Sequence, residues 1–442
     1  MTCMDTKARE RILQLFRGLG KFGALGPRPE DGISRPAWSD EETAAMHFIR
    51  KAAEAVGMSS FWDGVGNLFL TNPGADAEVV LTGSHLDTVP VGGNYDGAAG
   101  IVCGLAAIIQ MKPMWEKLRR RLALVVWRGE ESATFKALCT GSQAAFGLCD
   151  PAILSRRFRG RTLEEAIRRQ GFDPDFIAQR RPSLDPEKKE KISSHVELHI
   201  EQAKRLETDG ISIGVVSSIR GTVRLRIEVI GEANHSGGTP MGIKYRRDAN
   251  LAMAYMQVTM HEACIHALER GMDLVQTVGL VNDDGDFNRA DSPLRANSLT
   301  KVSPYGTFSV DIRSDNEAFL GEYIAEITEI IQTKARRYNV GVKISEILRQ
   351  RPVENLDRGI RNAIEASCRD LEVSHVEMPS GAFHDSAVLA GIRKSGGETI
   401  PVGMIFIPCR KGISHNPAEY VDPEDLVRGA LVLSNTLHRL AR

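Results

Sequence analysis

At 442 residues, the chain is long enough for two domains, each with a hydrophobic core of its own. Its 56 lysine and arginine residues nearly cancel its 57 aspartate and glutamate residues, so the charge balance does not indicate a nucleic-acid or membrane surface. No apolar stretch reaches the ~20 residues of a membrane span, and the N-terminal segment lacks a signal-peptide core. The seven cysteines are odd in number and form no CxxC pair, which favours free thiols and a cytoplasmic protein.

The first half of the chain alternates helical and strand patterns. We predict helices over 41–56 and 97–111, apolar strands over 78–85 and 122–127, and a further helix beginning within 141–148. Apolar strands alternating with helices indicate a parallel sheet with both faces covered, and ligand sites in such sheets lie beyond the carboxyl ends of the strands. The highly charged segment 150–192 is expected to be a solvated helical excursion.

From about residue 214 the pattern changes to alternating strands and long helices. The predicted elements are strands over 222–232, 273–281, 305–314 and 340–348, with helices over 246–271 and 316–338. Their order, β-α-β-β-α-β, predicts a ferredoxin-like sandwich. Because it interrupts the first pattern, we predict an inserted α+β domain over 213–350 and a discontinuous α/β domain formed by 1–212 and 351–442.

Metal-binding residue types follow several predicted strands. The clusters are His85, Asp87 and Asp96; Glu130 and Glu131; His195, Glu197, His199 and Glu201; His384 and Asp385; and His415 and Glu419. Any one of them is weak, because a lone buried histidine is more often a core residue and adjacent glutamates usually lie on a solvated face. Together they indicate a metal site, because several follow strand ends that would converge.

A hydrolase with two metal ions needs a bridging carboxylate, terminal histidine and carboxylate ligands, and one more carboxylate to accept a proton from water. Glu130 and Glu131 suit a division between base and ligand. Neighbours on an extended backbone point to opposite sides, so a turn must bring both inward.

Two other motifs are misleading. GLGKFG (18–23) lacks the preceding strand that a dinucleotide-binding motif requires, and the two histidines of HEACIH (261–266) are five residues apart, so they do not share a helix face.

Seven motifs in fixed order resemble the amidase branch of the M20 metallopeptidase family, which includes N-carbamoyl-L-amino-acid hydrolases, β-ureidopropionases and allantoate amidohydrolases. They are GSHLDTVPVGGNYDG, GEES, HIEQ, NHSGGTPM followed by RRDA, FSVDIRS, MPSGAFHDS and GMIFIPCRKGISHNPAEY. The resemblance implies an α/β fold with a mixed-sheet, di-metal hydrolase domain. It also implies that the inserted ferredoxin-like domain is a lid and dimerisation domain.

The resemblance also assigns the metal site. Asp96 would bridge two divalent ions, with His85 and His199 completing one site and Glu131 and His415 the other. Glu130 would be the general base, and Asp87 would orient His85. Zn²⁺ or Mn²⁺ is expected, and Ni²⁺ or Co²⁺ would accept the same ligands.

In the family, the residue matching His235 stabilises the oxyanion, often in the partner subunit's active site. The residue matching Arg313 grips the substrate carboxylate, although the side chain could equally be a surface residue paired with Asp311 or Asp315. Gln202, His384 and Asn297 are expected to contact the substrate as well. We therefore expect a homodimer formed through the inserted domain.

Some residues depart from the family pattern. Ser132-Ala133-Thr134 replaces a common glycine-serine-arginine, Thr300 stands where an asparagine is frequent, and Phe383 stands where glycine is common. All of these bear on the pocket and none on the ligands. We expect cleavage of the carbamoyl C–N bond of an N-carbamoyl-L-amino acid or related ureido acid, releasing the amino acid, carbon dioxide and ammonia.

Three alternatives stay open. The chain could be an allantoate amidohydrolase, which would use the same mechanism. It could be a dipeptidase or aminoacylase on the same scaffold, although His199 argues against this. It could be a binding protein that has lost catalysis, although the complete ligand set with Glu130 argues against that.

Overall fold

The computed structural model describes residues 6–74, 77–283 and 291–442. Cys3 therefore lies outside the described residues. The strands are β1 Ser59–Trp62, β2 Leu68–Thr71, β3 Val79–His85, β4 Arg121–Trp127, β5 Arg157–Phe158, β6 Arg161–Thr162, β7 Ile192–Ile200, β8 Ile213–Ile219, β9 Gly221–Ile230, β10 Asn234–His235, β11 Val275–Val281, β12 Lys301–Val302, β13 Tyr305–Ser314, β14 Gly341–Gln350, β15 His375–Ser380 and β16 Val402–Ile407.

The helices begin and end within a few residues of the predicted bounds, because capping residues mark several of them. Ser39, Asp248 and Asn316 each accept a hydrogen bond from a backbone N–H of the first turn of a helix. The helices are α1 Thr6–Leu19, α2 Asp40–Glu54, α3 Ala98–Gln110, α4 Thr140–Ala145, α5 Leu163–Arg169, α6 Asp175–Ala178, α7 Pro186–Glu190, α8 Arg205–Asp209, α9 Ala249–Glu269, α10 Glu317–Tyr338, α11 Arg358–Asp370, α12 Asp385–Ala390 and α13 Pro423–Ala441. Within the described ranges, none of these helices is both long enough and apolar enough to cross a bilayer.

The chain divides into two compact units, Met1–Ser217 with Asn355–Arg442, and Ser218–Glu354. The first unit contains an eight-stranded sheet in the order β1-β2-β4-β3-β7-β16-β8-β15. The four central strands, β4, β3, β7 and β16, run parallel. The parallel sheet that the apolar strands indicate is thus present at the centre. At the flanks β2 pairs antiparallel with β1 and β4, and β8 pairs antiparallel with β16, so the whole sheet is mixed, as the family resemblance implies.

Helices cover the central strands of this sheet. Almost every residue of α3 is buried, and the helix packs against β3 and against α13, whose apolar side joins the same core. The charged segment 150–192 differs from its prediction, because it is not wholly solvated. Its side chains Ile153, Leu163 and Ile177 form a second buried cluster with Trp38 and Val65.

The second unit has a four-stranded antiparallel sheet in the order β11-β13-β9-β14. Apolar side chains of β9 and β13 form one buried core with helices α9 and α10. Its element order along the chain is the predicted β-α-β-β-α-β, with the two-stranded pair β10–β12 added.

Candidate metal centre

The carboxyl ends of four adjacent parallel strands carry the candidate ligands. His85 is the last residue of β3 and His199 the last but one of β7. Glu130 and Glu131 follow β4, and His415 lies in the loop after β16. Because these strands are neighbours in the sheet and point the same way, their ends meet at one edge, where sites in α/β sheets form.

Asp96, in the loop between β3 and α3, lies at the centre of these side chains. Its Oδ1 is 3.5 Å from Nε2 of His85 and 3.1 Å from Nε2 of His199. Its Oδ2 is 3.3 Å from Nε2 of His415, which is 3.1 Å from Oε1 of Glu131. The side chains therefore form two potential metal-binding groups that share one carboxylate.

The hydrogen bonds of two histidines indicate a cation between them and Asp96. Nδ1 of His85 lies 3.0 Å from the Asp87 carbonyl oxygen, and Nδ1 of His199 lies 2.9 Å from the Ile200 carbonyl oxygen. In neutral rings each Nδ1 therefore carries the proton, and each Nε2 directs its lone pair at the Asp96 carboxylate. Two acceptors facing each other need either a proton or a metal cation between them. Imidazole nitrogen and carboxylate oxygen are ligands that Zn²⁺ and related divalent ions accept, so the residues fit such a metal.

The charges of this cluster are strongly coupled. Hydrogen bonds to Asp96 and Glu131 raise the pKa of His415 to about 11, although 49% of its side chain is exposed. Burial alone would lower the pKa of His85, but Asp87 and Asp96 hold it well above its ordinary value. Burial opposes ionisation of Asp96, yet the three histidines keep the pKa of its carboxyl well below the usual range. Metal binding at these atoms must therefore compete with protons.

A sharp turn brings Glu130 and Glu131 inward together. It begins at Gly129, whose φ of +61° favours glycine. The Asp87 carboxylate accepts the N–H of Glu130 at Oδ1 (3.1 Å) and that of Glu131 at Oδ2 (3.0 Å). Asp87 thus orients the glutamate pair through its carboxylate and His85 through its carbonyl oxygen.

Glu130 lies beside the candidate ligands and belongs to neither potential metal-binding group. Its Oε2 is 3.9 Å from Nε2 of His85, and the side chain is buried. Burial, together with the negative charge of Glu131 and Asp385, raises its pKa well above the ordinary value. A carboxylate with a raised pKa is suited to accept a proton and to release it again near neutral pH.

Three polar residues hold Asp96 in place. Glu419 Oε1 accepts the backbone N–H of Tyr95 (2.7 Å) and of Asp96 (3.0 Å). Ser414 Oγ donates to Asp96 Oδ2 at 2.7 Å, and Gln202 Nε2 donates to the same oxygen at 2.8 Å. In the sequence, Glu419 stood out only as one of several residues of a metal-binding type, with no role assigned to it. Its position four residues after His415 was the available signal, and Ser414 offered none.

His384 lies behind His199 and is almost fully buried. The two ring centroids are 4.6 Å apart, and Nε2 of His384 is 2.9 Å from Ser380 Oγ. Burial lowers its pKa to about 3. His384, His199 and Glu197 also form a potential metal-binding group, but hydrogen bonds from Ser84 and Ser386 already occupy both Glu197 oxygens.

Three of the predicted substrate residues lie in the second unit: His235, Asn297 and Arg313. His235 is exposed on β10. Arg313 Nε donates to Asp311 Oδ1 at 2.7 Å, so the guanidinium has a carboxylate partner on its own strand. Asn297 Nδ2 donates to the Tyr305 carbonyl oxygen at 2.9 Å, and its Oδ1 accepts from Ser303 Oγ at 3.0 Å.

This site lies within the segment that matches a known family. Residues 81–439 match the family described as peptidase family M20/M25/M40. The chain belongs to this family. Its members depend on metal ions, and the described residues of this chain include the candidate groups around Asp96.

Similar proteins indicate which kind of bond the enzyme cleaves. The chain is 32% identical to the allantoate amidohydrolase of Escherichia coli K12 over 442 residues, which cover 99% of each chain. It is 31% identical to the N-carbamoyl-L-amino acid amidohydrolase of Geobacillus stearothermophilus over 97% of this chain and 98% of the relative. A crystal structure of a hydantoinase/carbamoylase family amidase from Burkholderia multivorans matches with a TM-score of 0.83 and 28% identity, covering 98% of each chain. The protein is an amidohydrolase that acts on C–N bonds other than peptide bonds.

Proposed function

We propose that this amidohydrolase cleaves the carbamoyl C–N bond of an N-carbamoyl-L-amino acid or a related ureido acid, with two divalent metal ions per subunit. The observation that carries the proposal is the arrangement around Asp96, where two Nε2 atoms face one carboxylate oxygen and a third faces the other. In this proposal His85, Asp96 and His199 hold one ion, and Asp96, Glu131 and His415 hold the other.

When bound, such ions supply Lewis acidity and lower the pKa of water toward neutrality. Glu130 takes the proton from the attacking water and passes it to the leaving nitrogen, because its carboxylate is buried beside the ligands with a raised pKa. His235 donates a hydrogen bond to the oxyanion. Arg313 binds the substrate carboxylate, and its hydrogen-bond partner Asp311 fixes the guanidinium plane. In this proposal Gln202, His384 and Asn297 contact the substrate as well.

We further propose that the second unit is a lid that also forms a homodimer. Helix α9 exposes Leu251, Tyr255, Val258 and Ile265 on one face, and the edge strand β11 exposes Leu280. An exposed apolar helix face next to an open sheet edge is typical of an interface. A cytoplasmic location fits the six described cysteines, which are all buried and free.

Allantoate is the second candidate substrate, because the relative from Escherichia coli K12 that carries this name is similar over the full length. Hydrolysis of its ureido group would use the same residues. Phe383, Thr300 and the segment Ser132–Thr134 are the positions at which we expect the pocket to discriminate between the two.

The test measures the release of ammonia and, separately, of free amino acid by enzyme reconstituted with Zn²⁺, Mn²⁺, Ni²⁺ or Co²⁺, because dipeptides and N-acetyl amino acids yield no ammonia on hydrolysis. The panel contains N-carbamoyl-L-amino acids, allantoate, ureidoglycolate, N-acetyl amino acids and dipeptides, and Glu130→Gln protein serves as the matched control for contaminating activity. Preference for a carbamoyl amino acid supports the proposal. Preference for allantoate keeps the mechanism and changes the substrate. Cleavage of only the dipeptides or N-acetyl amino acids would overturn it.

A further inference from the structure

The imidazole of His235 accepts hydrogen bonds from two backbone N–H groups of the loop that follows it. Gly237 N–H donates to Nδ1 at 3.2 Å and Gly238 N–H donates to the same atom at 3.0 Å. His235 itself is fixed in a short strand pair, opposite Lys301. Both donors converge on one ring nitrogen, so that nitrogen must present a lone pair.

The loop that supplies these donors is itself held. Thr239 donates to the His235 carbonyl oxygen with its N–H (3.0 Å) and with its Oγ1 (2.8 Å). Arg246 donates through one terminal nitrogen to the carbonyl oxygens of Ser236 and Thr239, at 2.8 Å each, and through Nε to that of Pro240 at 3.2 Å. One guanidinium therefore binds carbonyl oxygens on both sides of the two glycines and fixes the conformation of the loop.

We infer that Gly237 and Gly238 are positioning residues that fix neutral His235 as the tautomer with its proton on Nε2. The inference rests on the proposed function, in which the oxyanion receives that proton as a hydrogen bond. A ring held this way offers an N–H donor at Nε2 and no lone pair there. His235 therefore does not act as a base through Nε2, and the proton for the leaving nitrogen comes from Glu130.

The ring nitrogens report the tautomer directly by ¹⁵N NMR. We would record long-range ¹H–¹⁵N spectra of metal-loaded enzyme with labelled histidine at pH 8, and assign His235 by the signals lost in His235→Asn. The expected result is an acceptor-type Nδ1 and a protonated Nε2 with well-separated shifts. A protonated Nδ1, or shifts averaged between two exchanging tautomers, would overturn the inference.

Matched variants separate the N–H groups from the shape of the loop. A Cβ at Gly237 or Gly238 would meet only the His235 ring, at 3.5 Å or more, so Gly237→Ala and Gly238→Ala fit and keep both donors. Gly237→Pro and Gly238→Pro each remove one donor. We expect the alanine variants to keep the wild-type spectrum, and each proline variant to move the two ¹⁵N shifts toward each other. We expect kcat to fall about tenfold in the proline variants because the ring is no longer aligned.

The NMR spectra and the turnover of the variants distinguish a failure of this inference from a failure of the proposed function. An Nε2-protonated ring together with full turnover in His235→Ala would keep the tautomer and remove the oxyanion role. An Nδ1-protonated ring in a fully active enzyme would keep the function and remove the inference. Proline variants with wild-type shifts would also count against it, because the glycine N–H groups would then not select the tautomer.

Discussion

At the scale of single residues, Asp96 accounts for most of the geometry of the centre. One of its oxygens faces two histidines and the other faces a third, and Ser414 and Gln202 donate to that second oxygen. Five side chains therefore converge on one carboxylate, and they come from three segments of the chain: His85 from one, His199 and Gln202 from a second, and Ser414 and His415 from a third.

Substituting Glu130 tests the division of labour between the two glutamates. Because Glu130 belongs to neither group around Asp96, we expect Glu130→Gln to lower kcat by on the order of 10²–10⁴ while the bound metal stays unchanged. Glu131→Gln, its matched control, should lose bound metal. Elemental analysis and initial rates on the same samples check both, and unchanged turnover in Glu130→Gln would remove it as the base.

Gly97 tests how closely the ligands are packed. Its φ is +64°, and a Cβ there would lie 2.5 Å from the His85 ring. Gly210 also has a φ of +64°, but with ψ of +31° instead of −47°, and among the described residues nothing lies within 4 Å of an added Cβ, so Gly210→Ala places an alanine at positive φ without the clash and with less backbone strain. We expect Gly97→Ala to lower metal affinity tenfold or more, and Gly210→Ala to leave it unchanged, by titration with Zn²⁺. Equal metal affinities in the two variants would show that the His85 ring can move away from the added Cβ without loss of metal binding.

At the scale of elements, β7 carries a pH-sensitive residue, His195, four positions before the ligand His199. His195 is fully buried, neither of its ring nitrogens has a hydrogen-bond partner among the described residues, and burial lowers its pKa from 6.5 to about 4. The folded state therefore binds this proton less readily than the unfolded state. Its contribution to stability is present above pH 6.5 and is lost as the pH falls toward 4.

We expect the free energy of unfolding to fall by about 2 kcal/mol between pH 7 and pH 5 because of His195 alone. His195→Leu should remove that part of the loss, and the exposed His261→Leu should not. Urea unfolding at both pH values measures it, with bound metal removed from all samples by the same chelator. An identical pH dependence in wild type and His195→Leu would contradict the assignment.

The strand and helix patterns predicted most elements of the chain, because burial on one or both faces imprints a period on the sequence. The centre of the large sheet followed from its apolar strands. The antiparallel flanks did not follow from the pattern, because nothing local in β2 or β8 records the direction of a partner strand, and only the family resemblance implied a mixed sheet. The prediction that segment 150–192 is solvated was wrong for a similar reason, since its few apolar side chains pack against residues that are distant in the sequence.

The candidate ligands were predictable as residue types that follow strand ends, and the resemblance to a family supplied their roles. The residues that hold Asp96 were harder to predict. Gln202 and His415 both have left-handed backbone conformations, with φ of +57° and +56°, which direct their side chains toward Asp96. Such conformations in residues other than glycine leave no mark in the pattern of residue types.

At the scale of the whole molecule, mixed dimers test whether His235 serves the partner subunit. His235→Ala and Glu130→Gln should each be inactive alone. If His235 acts across the dimer, one site in each mixed dimer regains both groups, and equal mixing should restore about a quarter of wild-type activity after exchange. Introducing Val258→Asp on the exposed face of α9 should abolish the recovery. No recovery, with exchange confirmed by differently tagged subunits, would mean that His235 acts within its own chain.

The path of the chain through the large sheet has a consequence for synthesis on the ribosome. β16 pairs with β7, yet more than 200 residues separate them, including the whole second unit. The second unit is continuous in sequence, so it can fold as soon as it emerges, whereas the first unit must wait for β16 and α13. We expect nascent chains that end before residue 402 to hold a folded insertion and no metal. Translation of the segment from β16 to α13 would then switch on the enzyme.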